Sequence, residues 1–304
     1  MSLTQDIRDA FSRRDNALNQ LIIINVLVFV VVYVLLQSIL FLLYGHDNPI
    51  INLVMRQVEL SSSLPVLLRH PWTLFTYAFM HNGFLHIIFN MLNLYWFGQL
   101  IREYLGDRRL VSLYILGALA GAVLFLLAYN FLPVLQPYAA IGQPIVGASA
   151  AVTAIIVAAA TMLPDYTFML ILLGPVKIKW IAVVVVIISI AGINGGNPGG
   201  EISHLGGALL GFVFVKQLKA GRDMGAPVQA VGNWVGRLFA RESPMKVTHR
   251  ATVATGRSAT ATAGKAASAT HPDEVDNILD KISRSGYESL SKEEKQKLFR
   301  ASQQ

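Results

Sequence analysis

Six apolar runs, each bounded by polar or charged residues, organise the first 220 positions of the chain. The first, Leu21 to Tyr44, passes 24 residues without an Asp, Glu, Lys, Arg or His. A hydrocarbon layer about 30 Å thick takes roughly 20 residues at 1.5 Å rise each, so this run predicts a membrane-spanning helix. Five more apolar segments follow at Phe84 to Ile101, Leu110 to Val134, Ile145 to Leu163, Ile178 to Ile193 and Ile202 to Leu218, the last two being short. The predicted fold class is an all-α membrane protein, a bundle of six transmembrane helices over residues 21–218.

The segments around these runs have their own patterns. Residues 1–20 mix Asp6, Asp9 and Asp15 with Arg8, Arg13 and Arg14, and the apolar run behind them is too long for a cleaved secretory signal. The first span is therefore expected to stay in the mature protein. A 39-residue connection, Gly45 to Gly83, carries apolar stretches at Ile50 to Met55 and Leu64 to Leu68 and is expected to form a partly embedded flap. Gly174 and Pro175 break Phe168 to Val176, which reads as an interfacial loop. Residues 219–270 read as a flexible linker, because Ala, Thr, Ser and Gly dominate 251–270 and cannot bury enough apolar surface to order themselves. In 271–304, Val275, Ile278, Leu279 and Ile282 recur at helical spacing, and Ser291 with Glu294 makes a capping-box pattern, predicting a small helical hairpin. Its partner, if it has one, is not written in the pattern.

Composition agrees with a membrane solvent. Hydrophobic residues make up 54% of the chain and charged residues 14%, with a mean hydropathy of +0.50. The absence of cysteine removes disulfides, thiolate zinc sites and cysteine nucleophiles. The net charge of +7 does not mark nucleic-acid binding, since the basic residues border apolar runs and no such binding motif accompanies them. They set orientation instead. With the N-terminus inside, the inner segments hold Arg8, Arg13, Arg14, Arg102, Arg108, Arg109, Lys177, Lys179, Lys216, Lys219 and Arg222, whereas the outer ones hold only Arg56 and Arg69. A multi-pass protein of the cell membrane with a cytoplasmic N-terminus and a cytoplasmic C-terminal tail is the expectation.

Polar groups inside a bilayer are costly, so each needs an account. Ser149 opens the fourth span in Gly147-Ala148-Ser149-Ala150, His204 lies near the start of the sixth, and His86 and Asn90 lie four apart on the second, with His81 five residues earlier. By the orientation above, spans two, four and six all enter from outside, which brings these groups to one depth. A serine hydroxyl becomes nucleophilic when a base removes its proton, and His204 is the histidine available to it in the later spans. His86 and Asn90, sharing a helix face, are candidate oxyanion donors, and the backbone N–H of Ser149 is a third. Ala150, Ala154 and Ala158 form one small-residue stripe and Gly207 and Gly211 another, each permitting close helix approach. Glu201, three residues before His204, could complete a triad but reads more simply as a partner of the helix dipole. A Ser149/His204 dyad is therefore expected.

The Gly147-Ala148-Ser149 run, the His204-x-x-Gly207-x-x-x-Gly211 run and the His81-x-x-x-x-His86-x-x-x-Asn90 run together resemble the rhomboid family over roughly residues 20–220. The resemblance implies a six-helix core, the Ser149/His204 dyad, an oxyanion site involving His86 and Asn90 with His81 and Gly147 nearby, and cleavage of other proteins' transmembrane segments without cofactor or metal. Three positions depart from the family pattern: Ala150 where glycine is usual, Thr153 where many members carry a bulky or aromatic residue, and Thr73 after Trp72 where arginine is common. No His-Glu-x-x-His or Gly-x-Gly-Asp motif offers another intramembrane protease chemistry. The competing class is a catalytically inactive rhomboid relative that binds membrane proteins. A transporter is third, since no mid-membrane acid or base accompanies these histidines.

Overall fold

The computed structural model describes residues 16–45, 49–170, 174–239 and 272–301, so residues 1–15 of the N-terminal segment and most of the expected linker lie outside the described part. The chain divides into two units, Met1–Arg241 and Glu242–Gln304.

In the first unit, helix α1 (Ala17–Tyr44) runs 28 residues and passes through a π-helical stretch at Phe29–Leu36. It is followed by α2 (Pro49–Val58), β1 (Leu60–Ser61), α3 (Leu64–Arg69) and α4 (Thr73–Thr76), then by α5 (Phe84–Leu105) and α6 (Asp107–Phe131). After α7 (Gln136–Ala140) and β2 (Pro144–Ile145) come α8 (Ser149–Met162), β3 (Thr167–Leu170), β4 (Gly174–Lys177), α9 (Ile178–Gly192), α10 (Pro198–Lys219) and α11 (Ala226–Phe239). Helices α1, α5 and α6 are long and apolar enough to cross a membrane, while α8 and α9 are apolar but shorter. The protein is thus a largely helical membrane bundle.

Helix α8 occupies the centre, with ten of its 14 residues buried. Alanines make this possible, because helices without a hydrophobic drive between them associate through close packing of small side chains. A Cβ on Gly207 would run into the carbonyl oxygen of Ala150, and one on Gly211 into that of Ala154. Helix α6 approaches as tightly: a Cβ on Gly117 would lie 2.6 Å from that of Ala154, and one on Gly121 2.6 Å from that of Ala150. The two small-residue stripes therefore face each other, and α8 is held between α6 and α10 by main chain rather than by long side chains.

The connection from α1 to α5 is structured and tied to the segment in front of α8. Leu60 and Ser61 pair antiparallel with Ile145 and Pro144. Asn130 Nδ2 donates to Ser62 O at 3.0 Å, and Thr76 Oγ1 donates to Val58 O at 2.9 Å. Thr73, one of the departures, is buried and closes its own turn by donating to His70 O at 2.7 Å. Asn25 and Tyr114 form a buried pair between α1 and α6 at 3.0 Å, and Tyr114 donates onward to Ala78 O at 2.7 Å.

Two local expectations differ from the structure. The stretch read as an interfacial loop holds two antiparallel strands, β3 pairing with β4 from Thr167 opposite Lys177 to Leu170 opposite Gly174. Within the expected linker, Ala226–Phe239 forms α11, because Val228, Val231, Trp234, Val235 and Leu238 recur at helical spacing. The Ala/Thr/Ser/Gly composition that defined the linker begins only beyond that helix.

In the second unit, α12 (Pro272–Ser285) and α13 (Lys292–Ala301) are joined through Gly286. The capping box at α13 is formed: Ser291 N donates to Glu294 Oε2 at 2.7 Å and Glu294 N donates to Ser291 Oγ at 3.3 Å. Lys281 of α12 reaches Glu294 at 2.9 Å across the hairpin.

Candidate active site

The local sequence first places the serine. Gly147 has φ +134°, a conformation that side chains disfavour, and a Cβ there would lie 2.8 Å from His86 Nε2. Its N–H donates to Tyr77 O at 2.9 Å, pinning this turn to the connection before α5, and Tyr77 is itself fixed by its hydroxyl on Ala118 O at 2.6 Å. The chain then enters α8 at Ser149, whose N–H, at the first helical position, has no intrahelical acceptor. Ser149 therefore carries its hydroxyl and a free main-chain donor at the positive end of a helix.

His204 sits two turns into α10, and the close crossing at Gly207 and Gly211 brings it to the serine: Ser149 Oγ and His204 Nε2 are 2.7 Å apart. Both residues line a cavity of about 740 Å³, together with His86 and Asn90 of α5. Four of the residues singled out in the sequence thus converge, from the starts of three helices. The other imidazole nitrogen of His204 is occupied as well, with Nδ1 3.1 Å from Glu201 Oε2 and 3.2 Å from Ser189 Oγ of α9.

The α5 residues are partly committed. His86 Nδ1 lies 2.8 Å from Asn82 Oδ1, while its Nε2 faces Gly147. Asn90 is buried and gives one amide hydrogen to His86 O at 2.8 Å, which leaves its second hydrogen for the cavity. His81 is buried beside this group, its ring edge-on to that of His86 at 5.0 Å. Thr153 lines the cavity one turn below Ser149. Among the described residues no group of three or more His, Asp or Glu side chains is placed to hold a metal ion.

Sequence reasoning missed Asn82, although its spacing of four before His86 was visible, and missed Ser189, for which no sequence signal exists. It weighed a triad for Glu201 and gave it to the helix dipole. The end of α10 is capped instead by Asn197, whose Oδ1 accepts from Gly200 N at 3.0 Å, and the Glu201 carboxylate turns to His204.

The profile of the Rhomboid domain matches residues 68–219, half of the chain and the stretch that contains all of these side chains. The chain belongs to the rhomboid family. It is 32% identical over 161 residues to the RHOMBOID-like protein 12, mitochondrial, of Arabidopsis thaliana, a match covering 49% of this chain and 47% of that protein. The Rhomboid-like protein 16, chloroplastic, of the same plant is 50% identical over 54 residues, covering 18% of this chain and 17% of the relative. The chain thus spans less than half the length of either relative. A family of unknown function, DUF6576, matches residues 266–304, the hairpin unit.

Proposed function

We propose that this protein is an intramembrane serine endopeptidase that cleaves transmembrane segments of other membrane proteins through an acyl-enzyme. The observation that carries the reading is the 2.7 Å contact between Ser149 Oγ and His204 Nε2 inside a cavity bordered by His86 and Asn90. Nε2 accepts the hydroxyl proton as Oγ attacks the scissile carbonyl carbon, and returns it to the leaving nitrogen as the C–N bond breaks. Water then repeats the sequence on the ester. The N–H of Ser149, the second amide hydrogen of Asn90 and an N–H on His86 Nε2 stabilise the oxyanion; that last role needs the His86 tautomer or charge state with a proton on Nε2.

In this reading α1, α5, α6, α8, α9 and α10 are six membrane spans. Both chain ends lie on the side rich in Lys and Arg, and the start of α8 faces the other. Helix length supports a buried site: 14 residues at 1.5 Å rise give about 21 Å, roughly 9 Å less than a 30 Å hydrocarbon layer. A helix that short, ending at the far boundary, begins with Ser149 below the near one. The cavity gives such a site access to water, which hydrolysis of the acyl-enzyme requires.

The test is a fluorophosphonate probe applied to the purified full chain in detergent, with cleavage of a generic transmembrane substrate in parallel. Labelling and cleavage are expected in the native protein and neither in Ser149→Ala. A folded native protein that takes up no probe and cuts nothing would instead mark a relative that binds membrane proteins without cleaving them.

A further inference from the structure

The Ser149/His204 pair leaves half of the imidazole unexplained, and the structure fills that half. For Nε2 to accept from Ser149, the neutral ring must carry its proton on Nδ1. Nδ1 lies 3.1 Å from Glu201 Oε2 and 3.2 Å from Ser189 Oγ, two oxygens that can accept that proton's hydrogen bond. Ser189 is buried, and its hydroxyl and the Glu201 carboxylate share His204 Nδ1, so the serine on α9 stands beside the acid as well as the ring. The carboxylate rests on the backbone of α9: a Cβ on Gly192 would lie 2.8 Å from Glu201 Cδ and 3.0 Å from Oε1. With Asn197 already capping α10, a role for Glu201 at the helix dipole alone does not explain why its carboxylate turns away from the helix end and seats itself between Gly192, Ser189 and His204.

We propose that Glu201, seated on α9 by Ser189 and Gly192, is a positioning residue for His204 that fixes its tautomer and stabilises its protonated form. This deepens, and rests on, the reading of Ser149 as nucleophile and His204 as base. As Oγ attacks, its proton moves to Nε2 and the Nδ1 proton stays where it is, hydrogen-bonded to a carboxylate that remains ionised throughout. Charging a half-buried imidazole is costly, and the adjacent negative charge offsets that cost at the moment of attack. The titratable side chains lining the cavity are His86 from α5 and Glu201 and His204 from α10, while α8 and α9 contribute the hydroxyls of Ser149, Thr153 and Ser189.

The experiment is the rate of fluorophosphonate labelling against pH for the full chain in detergent, with the unfolding temperature of each variant measured alongside. In the native protein the rate is expected to rise with pH through a midpoint to a plateau. Glu201→Gln is expected to move that midpoint down by about one pH unit or more, since removing a neighbouring negative charge makes the ring less basic. The same variant should lower the plateau by on the order of tenfold or more. Glu201→Asp should restore part of the shift. Gly192→Ala, which keeps the charge but crowds its seat, should shift the midpoint in the same direction by less, and Ser189→Ala should cost about 2- to 10-fold in plateau. The Glu201→Gln shift must persist in a His86→Gln background, so that it belongs to His204. A lowered plateau with an unmoved midpoint in both Glu201→Gln and Gly192→Ala would reduce Glu201 to a structural residue and overturn the inference. If instead the native protein is not labelled, or Ser149→Ala is labelled equally, the nucleophile reading fails first and takes this inference with it.

Discussion

Helices α1 and α8 are both apolar and differ in almost every other respect. Helix α1 has 28 residues, and large side chains such as Val31, Leu35 and Leu42 stand exposed along it, at 54%, 51% and 80%. Helix α8 has half that length, carries six alanines among its 14 residues, and is buried on nearly all sides. Length and bulk suit a helix whose surroundings are lipid, where any apolar side chain does as well as another. Small residues suit a helix that must touch two others main chain to main chain. The difference teaches that positional precision here comes from what side chains leave out: Ser149 meets His204 at 2.7 Å because Gly207 and Gly211 have no Cβ to hold α10 away.

The largest expected effect is on turnover. Ser149→Ala and His204→Ala should each reduce cleavage of a transmembrane substrate to the assay floor, and the double variant should be scarcely worse, because the two act as one unit. Strictly additive losses would mean that the α8/α10 contact is not where the chemistry resides. Next comes α5, whose proposed donors are separate groups: Asn90→Ala should cost about 10²–10³ in rate, with His86→Ala resembling it more than His204→Ala does. A dead His86→Ala beside a fully active His204→Ala would reverse the assignment of the base.

Stability gives the direct contrast between the two helices. Gly207→Ala places a methyl against a carbonyl oxygen that cannot rotate away, so the loss should reach or exceed the ~1–3 kcal/mol typical of overpacking. Leu35→Ala on the exposed side of α1 should stay within about 0.5 kcal/mol. Thermal unfolding of both in detergent decides; equal losses would break the comparison.

The smallest effect lies in the loop between α8 and α9. Lys179 and then Lys177, bonded at 2.8 and 2.9 Å, hold the exposed Asp165 carboxyl down from 3.8 to about 2. Because the folded-state value is depressed, the stabilisation is present above about pH 4 and lost as pH falls toward 2. Asp165→Asn should flatten the acid limb of the unfolding curve slightly in that window and nowhere else, and added salt should erase the difference.

How much of this was legible in the sequence varies by element. Periodicity and length located all the long helices, and the Ser291/Glu294 pattern located the start of α13, because those signals are local. The same local rules missed β3 and β4, whose pairing joins two unremarkable stretches, and passed over α11, whose apolar stripe lay in front of a low-complexity run and was absorbed into it. Asn25 and Tyr114 illustrate the limit for polar groups. Each looks like an isolated polar residue in an apolar run, and only the crossing of α1 and α6 makes them partners.

The candidate site divides along the same line. The sequence by itself determined the residue types, the spacing of His86 and Asn90 on one helix face, and the glycine and alanine stripes that make a close crossing possible. Tertiary structure alone decided which atoms meet. It put Ser149 and His204, 55 positions apart, within hydrogen-bond reach, and it turned Glu201 from a helix end toward an imidazole. It also brought in Ser189 from a helix whose pattern announces nothing but hydrophobicity. The physical reason is that a helix fixes the direction of each side chain about its own axis, whereas the rotation and crossing of two helices are set only when their surfaces pack.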